Sequence, residues 1–266
     1  MKNRRPLSQR PLLSLLTLAA LAPFGVAQAA GTTTVSVGLD FASGEYGTTE
    51  TTDTYTAPVS VKYANGPWLL RATLPLVHVE GTFSRDLGFE DPSEDTPAGV
   101  VQGKRSETGL GDLTVAAHYT LIDNPDGFSL DLGGKAKIAT ADKDKTLITS
   151  GENDYSVQVD LFRSMTDIAL FATLGYTIKG EPAGVTYKDP FYASLGLSVP
   201  VTTGQSVGAA WDYRQKVVTN GDPISEVSVF YSYRLDPHNK MQFYAVGGLA
   251  DGSPDFGGGV VLTHSY

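Results

Sequence analysis

The stretch Gly257–Tyr266, GGGVVLTHSY, decides how the rest of the chain is read. Val260, Leu262, His264 and Tyr266 fall on one parity; Gly259, Val261, Thr263 and Ser265 fall on the other. Alternation of this kind specifies a strand with two unlike faces. In a soluble sheet such an apolar terminal strand is an exposed edge that invites aggregation. In a closed membrane barrel the last strand pairs with the first, and no edge remains. Val260, Leu262 and Tyr266 are then the barrel-closing signal, and their expected partner is Val35–Phe41. There Val35, Val37, Leu39 and Phe41 alternate with Ser36, Gly38 and Asp40.

The same rhythm recurs at Val59–Tyr63, Trp68–Leu76, Leu113–Leu121, Phe128–Ile138 and Tyr155–Leu161. It continues at Ile168–Ile178, Phe191–Val199, Val207–Tyr213, Val227–Leu235 and Met241–Ala245. With the first and last segments this predicts about twelve strands, the even number that bacterial single-chain barrels use. Tight turns such as Asn65-Gly66-Pro67 and Asp123–Gly127 alternate with longer polar connections, including Gly81–Thr108 and residues 141–153. Periplasmic termini would place the short turns in the periplasm and the long loops outside.

A soluble sandwich also alternates, so three further features separate the two architectures. The apolar parity carries almost no mid-strand charge, as expected where a lysine or arginine facing lipid costs about 2–4 kcal/mol. Aromatic residues on that parity gather at strand ends. Tyr63, Trp68, Tyr119, Phe128, Tyr233, Phe243 and Tyr266 fall at one end, and Phe41, Tyr155, Tyr176, Phe191 and Tyr213 at the other, as two interfacial girdles. The opposite parity mixes small residues with isolated charges of both signs, the composition of a confined polar interior.

The N-terminus carries Lys2, Arg4, Arg5 and Arg10, an apolar run Leu12–Ala22, and Ala27-Gln28-Ala29 before Ala30. That order is a secretory signal peptide, residues 1–29, with an apolar core shorter than the roughly 20 residues a membrane helix needs. The expected domains are therefore 1–29, the signal, and 30–266, a transmembrane antiparallel β-barrel of the bacterial outer membrane. Removing 1–29 takes away four of the 20 basic residues and no acidic one, so the net charge falls from −9 to −13. Such a balance argues against a nucleic-acid partner. No cysteine is present to form disulfides.

On the interior parity stand the acids Asp40, Asp112, Asp131, Asp160, Asp212 and Glu226. The bases there are Lys62, Arg71, Lys135, Lys137, Lys179, Arg214, Lys216 and Arg234. As pore-lining candidates we single out Arg71, His118, Asp131, Lys135 and Asp160, together with Asp212, Arg214, Glu226 and Arg234. In a channel they would select the solute by field and hydrogen bonding. In a filled barrel they would pair and plug the interior. A third alternative is a membrane-embedded hydrolase using His118, although no serine stands in a triad setting. Asp142-Lys143-Asp144 and Asp91–Asp95 (DPSED) match no full calcium loop and read as solvated loops. No metal or cofactor is expected.

Ser43–Gly47 (SGEYG), Gly109–Leu121 (GLGDLTVAAHYTL), Gly151–Leu161 (GENDYSVQVDL), Ala172–Val185 (ATLGYTIKGEPAGV), Asp212–Lys216 (DYRQK) and Asp251–Gly259 (DGSPDFGGG) carry a family likeness. The chain resembles the outer-membrane β-barrel transporters grouped as "MetA-pathway of phenol degradation" proteins. The resemblance implies passive, porin-like passage of small solutes, aromatic compounds among them. It implies outer-membrane lipids and the outer-membrane assembly machinery as partners. It carries over no catalytic or binding residue.

Overall fold

The computed structural model describes residues 31–46, 50–83, 101–219 and 221–266. The expected signal peptide and the DPSED stretch lie outside the described residues. Thirteen strands follow one another: β1 (Thr32–Gly44), β2 (Thr52–Asn65), β3 (Trp68–Phe83), β4 (Val101–Leu110), β5 (Leu113–Asp123), β6 (Phe128–Ile138) and β7 (Asp154–Ser164). They continue with β8 (Ala169–Ile178), β9 (Phe191–Thr202), β10 (Gln205–Arg214), β11 (Ile224–Arg234), β12 (Asn239–Gly248) and β13 (Phe256–Ser265).

All pairings are antiparallel between neighbours, and β1 pairs with both β2 and β13, so the sheet closes on itself. Val35 lies opposite His264, Val37 opposite Leu262 and Leu39 opposite Val260. The opening stretch thus meets the partner expected from parity. Closure leaves no unpaired edge, the condition for a sheet surrounded by lipid.

The thirteen strands make a twelve-stave barrel. β4 pairs with the upper part of β3, from Leu76 to Phe83, and β5 with its lower part, from Trp68 to Thr73. They are one stave interrupted at Gly111-Asp112. The expectation that Gly81–Thr108 is all loop is corrected here, since β3 runs to Phe83 and β4 begins at Val101. Backbone pairing satisfies the ladder whatever the side chains are, so the strands can continue past the apolar band with polar residues on both faces.

The burial pattern is inverted relative to a soluble protein. Leu39, Val157, Leu174 and Leu195 are each more than half exposed, on the outward parity. Thr54, Thr56, Ser60, Thr73, Thr114 and Ser156 are buried, on the inward parity. An outward apolar band enclosing a polar interior suits a hydrocarbon surround. The expected girdles form from cross-strand aromatic neighbours. Trp68 meets Tyr119 edge-on at 4.8 Å between ring centroids, and Tyr176 meets Phe191 at 4.7 Å.

Short turns lie at the end that holds Thr32 and Tyr266, and the longer loops lie at the other. Gly66 has φ 55° in the two-residue loop between Asn65 and Trp68, at the first central position that a II′ hairpin reserves for glycine. At the loop end, residues 139–153 fold inward. Leu147 and Ile148 bury themselves against Val77 and Val79 on the interior parity of β3. A second cluster joins Tyr187, Val217 and Val218. Lys188 N–H donating to the Val217 carbonyl at 2.6 Å ties the two loops involved.

Candidate functional site

Among the described residues, polar and charged side chains converge from many staves in the interior of the barrel. Its wall is shaped by rings seated on glycines. Five interior rings each lie directly across from a glycine: His118 from Gly133, Phe171 from Gly196, Tyr192 from Gly175, Phe230 from Gly208, and Tyr244 from Gly259. A Cβ added at any of these glycines would collide with the partner residue's ring or its hydroxyl. The rings are therefore laid along the wall rather than pointed at the axis. Phe230 and Tyr244 are themselves opposite each other, and each turns away to its own glycine.

None of Phe171, Tyr192, Phe230 and Tyr244 was singled out from the sequence as a wall element. For Tyr192, Phe230 and Tyr244 the signal was present, since each falls on the parity opposite to its strand's lipid-facing residues; Phe171 does too, but within an unbroken apolar run.

His118, Asp160, Gln158 and Thr173 form one connected cluster. Asp160 accepts from Gln158 Nε2 at 2.8 and 2.9 Å and from Thr173 Oγ1 at 2.6 Å, and it lies 3.1 Å from His118 Nδ1. Tyr192 Oη donates to Gln158 Oε1 at 2.9 Å, extending the cluster to β9. Among the described residues no serine or threonine hydroxyl bonds to His118. The His–Asp pair therefore has no nucleophile beside it, and the geometry offers a hydrogen-bonding wall patch rather than a triad.

The other candidates sit on the interior parity as follows. Asp131 is buried directly opposite Asp160, and Asp212 is buried directly opposite Glu226. Ser194 Oγ donates to Asp212 at 2.6 Å. Arg214 is buried at the loop end of β10. Lys135 Nζ stands 5.9 Å from the centre of the Tyr192 ring, a cation over the face of an aromatic. Arg71 lies opposite Lys62, and Arg234 opposite Lys240. Lys240 was missed because the sequence pattern starts that strand at Met241, two residues late.

Three charges counted as interior have a different office. Lys137, Lys179 and Asp112 join Asp154 in a buried network at the loop end. Lys216 lies beyond the end of β10 and is exposed. Among the described residues no group of three or more metal-ligating side chains converges.

A closed, polar-lined, apolar-belted barrel of twelve antiparallel staves defines the class: an outer-membrane-type β-barrel. The family follows from comparison. The chain belongs to the "MetA-pathway of phenol degradation" family, whose model matches residues 25–263. No curated protein sequence matches the chain. Among solved structures, an outer membrane channel from Pseudomonas putida F1 is similar with TM-score 0.68 and 13% identity, over 92% of this chain and all of that one. The KdgM porin is similar with TM-score 0.53 and 14% identity, over 88% of this chain and 99% of that one. The β-domain of the Bordetella autotransporter BrkA has TM-score 0.50 and 11% identity, over 90% and 100%. At these identities the likeness is one of fold.

Proposed function

We propose that the protein is a passive channel for small solutes in the bacterial outer membrane. One observation carries this reading: five interior rings are seated flat on cross-strand glycines, which clears bulk from the axis of a barrel whose wall is polar. A barrel selected to be solid has no use for such seats; its rings would fill the centre instead. The channel and porin among its structural relatives support the same conclusion. In this reading residues 1–29 are a removed export signal, the short turns face the periplasm, and Arg71, Asp131, Asp160, Asp212 and Glu226 are among the residues that line the path. Passage requires no catalytic step. Aromatic compounds enter the proposal through the family's description alone.

A second reading, a non-conducting barrel that displays its loops, is favoured by the inward fold of residues 139–153 over the loop-end mouth. Conductance of the refolded protein in planar bilayers separates the two. Discrete current steps support the channel. Flat baselines, with folding verified by heat-modifiable gel mobility, sink it.

A further inference from the structure

Two base–base pairs stand at the short-turn end of the lumen. Lys62 on β2 lies directly opposite Arg71 on β3, and Arg234 on β11 directly opposite Lys240 on β12. Every one of the four is within three residues of its strand's short-turn end, at Asn65, Trp68, Arg234 or Asn239. At roughly 3.4 Å per residue they line the last ~10 Å of the interior. Across the seam between the pairs, the interior positions of β13 and β1 at this level are the hydroxyl residues Thr263, Ser265, Thr34 and Ser36. Lys62 lies in the field of both Arg71 and Lys240. Among the described residues Lys62, Arg234 and Lys240 have no carboxylate partner.

The facing wall has the opposite sign. Asp131 and Asp160 oppose each other on β6 and β7, within four residues of Phe128 and Ser164 at the same end. Asp160 is the carboxylate in the field of Arg71. Like charges directly across a strand pair destabilise the sheet. The Arg71–Asp160 attraction offsets part of that penalty on β2 and β3, but the Arg234–Lys240 pair has no carboxylate partner among the described residues. A bound anion removes the penalty on the basic wall.

We propose that Lys62, Arg71, Arg234 and Lys240 form a binding arc for carboxylate-bearing solutes at the periplasmic end of the lumen. This deepens the channel reading and rests on it. Each pair presents two cationic donors to one carboxylate, and the arginine of each pair can engage both oxygens at once. The hydroxyls across the seam supply further donors. Asp131 and Asp160 repel the anion from the far wall and hold it on the arc.

The test uses the refolded full chain in planar bilayers under a tenfold KCl gradient, with citrate as the probe. The expected reversal potential is that of an anion-selective path, and citrate blocks the current. Lys62→Gln combined with Lys240→Gln weakens that block by about tenfold or more, the equivalent of losing one charge-assisted hydrogen bond. Lys216→Gln, outside the arc, leaves the block unchanged. A cation-selective path, or a block that survives the double variant, overturns the arc while the channel stands. If folded protein passes no current, the channel reading falls. Calorimetric titration of citrate into wild type and double variant in detergent then decides the arc alone, and equal affinities reject it.

Discussion

Lys137 Nζ lies 3.2 Å from Asp154 Oδ2, and the two residues stand directly opposite each other on β6 and β7. Asp112 Oδ2 is 3.5 Å from the same ammonium, and Lys179 Nζ is 3.0 Å from the same Asp154 oxygen. All four side chains are buried, and their charges cancel. The network also anchors a loop. Asp112 accepts from the Thr140 and Ala141 N–H groups at 2.9 Å and from Thr149 Oγ1 at 2.6 Å, while Lys137 donates to Ser150 Oγ at 3.2 Å. Glu107 accepts from the Leu147 N–H at 2.9 Å. Residues 139–153 are thereby held inward at both ends, which puts Leu147 and Ile148 onto β3.

Replacing Lys137 with Met removes an ammonium from beside the buried carboxylates of Asp112 and Asp154. Breaking a buried pair from one side costs about 3–5 kcal/mol. We expect a lower thermal unfolding midpoint and cleavage within residues 139–153 in limited proteolysis. An unchanged midpoint together with an intact loop would rule out the anchoring role.

Gly175→Val drives the Tyr192 ring off its seat and toward the axis, at an overpacking cost of about 1–3 kcal/mol. Unitary conductance should fall. Gly247→Val is the control, because an added Cβ there meets no atom within 4 Å. Equal conductance in the two variants would mean the seats do not set the aperture.

Leu174 is 61% exposed on the outward face of β8. If that face meets hydrocarbon, Leu174→Arg destabilises the barrel by about 2–4 kcal/mol near the midplane. Folding titrations in liposomes measure this directly. A shift near zero would mean that the exposed leucines face water.

The Asn239 side-chain amide donates to Asp236 at 2.7 Å, and the His238 and Asn239 N–H groups donate at 2.8 and 2.9 Å, holding its carboxyl below the usual carboxylate range. A depressed folded pKa stabilises the turn fully above the unfolded value, about 3.9. That contribution disappears as pH falls through the lower folded value. Amide protection at His238 and Asn239 should be level from pH 7 to 5 and decline below about 4. Asp236→Asn should abolish the decline, and a decline that persists in that variant would assign it to another group.

Tyr266 N–H donates to the Thr33 carbonyl at 2.9 Å, and its ring packs edge-on to His264 at 4.5 Å. Deleting Tyr266 removes the last aromatic of the short-turn girdle beside the β1–β13 seam. Membrane fractions should hold little of the truncated chain. Wild-type amounts of heat-modifiable barrel would show that the seam closes without it.

The strand pattern was open to reading because a strand's two faces alternate with period two, a property of the local sequence. Parity alone matched Gly257–Tyr266 with Val35–Phe41 and put Asp131, Asp160 and Asp212 on one face. It could not reveal β4, whose residues Lys104, Arg105 and Glu107 lie on a stretch with no apolar face. Nor did it bring out Phe171, which falls on the parity opposite to Leu170 and Ala172 but lies in a run of apolar residues that masks which ring turns inward.

The sequence by itself determined a closed barrel of alternating strands, its even number of staves, and the residue types facing inward. The tertiary structure decided which interior groups meet. Register set Lys137 against Asp154, Lys62 against Arg71 and each ring against its glycine, although these partners lie between 9 and 25 residues apart in the chain. The physical reason is that parity is fixed within each strand, whereas register comes from closing the whole ring, where a one-residue slip reverses every face.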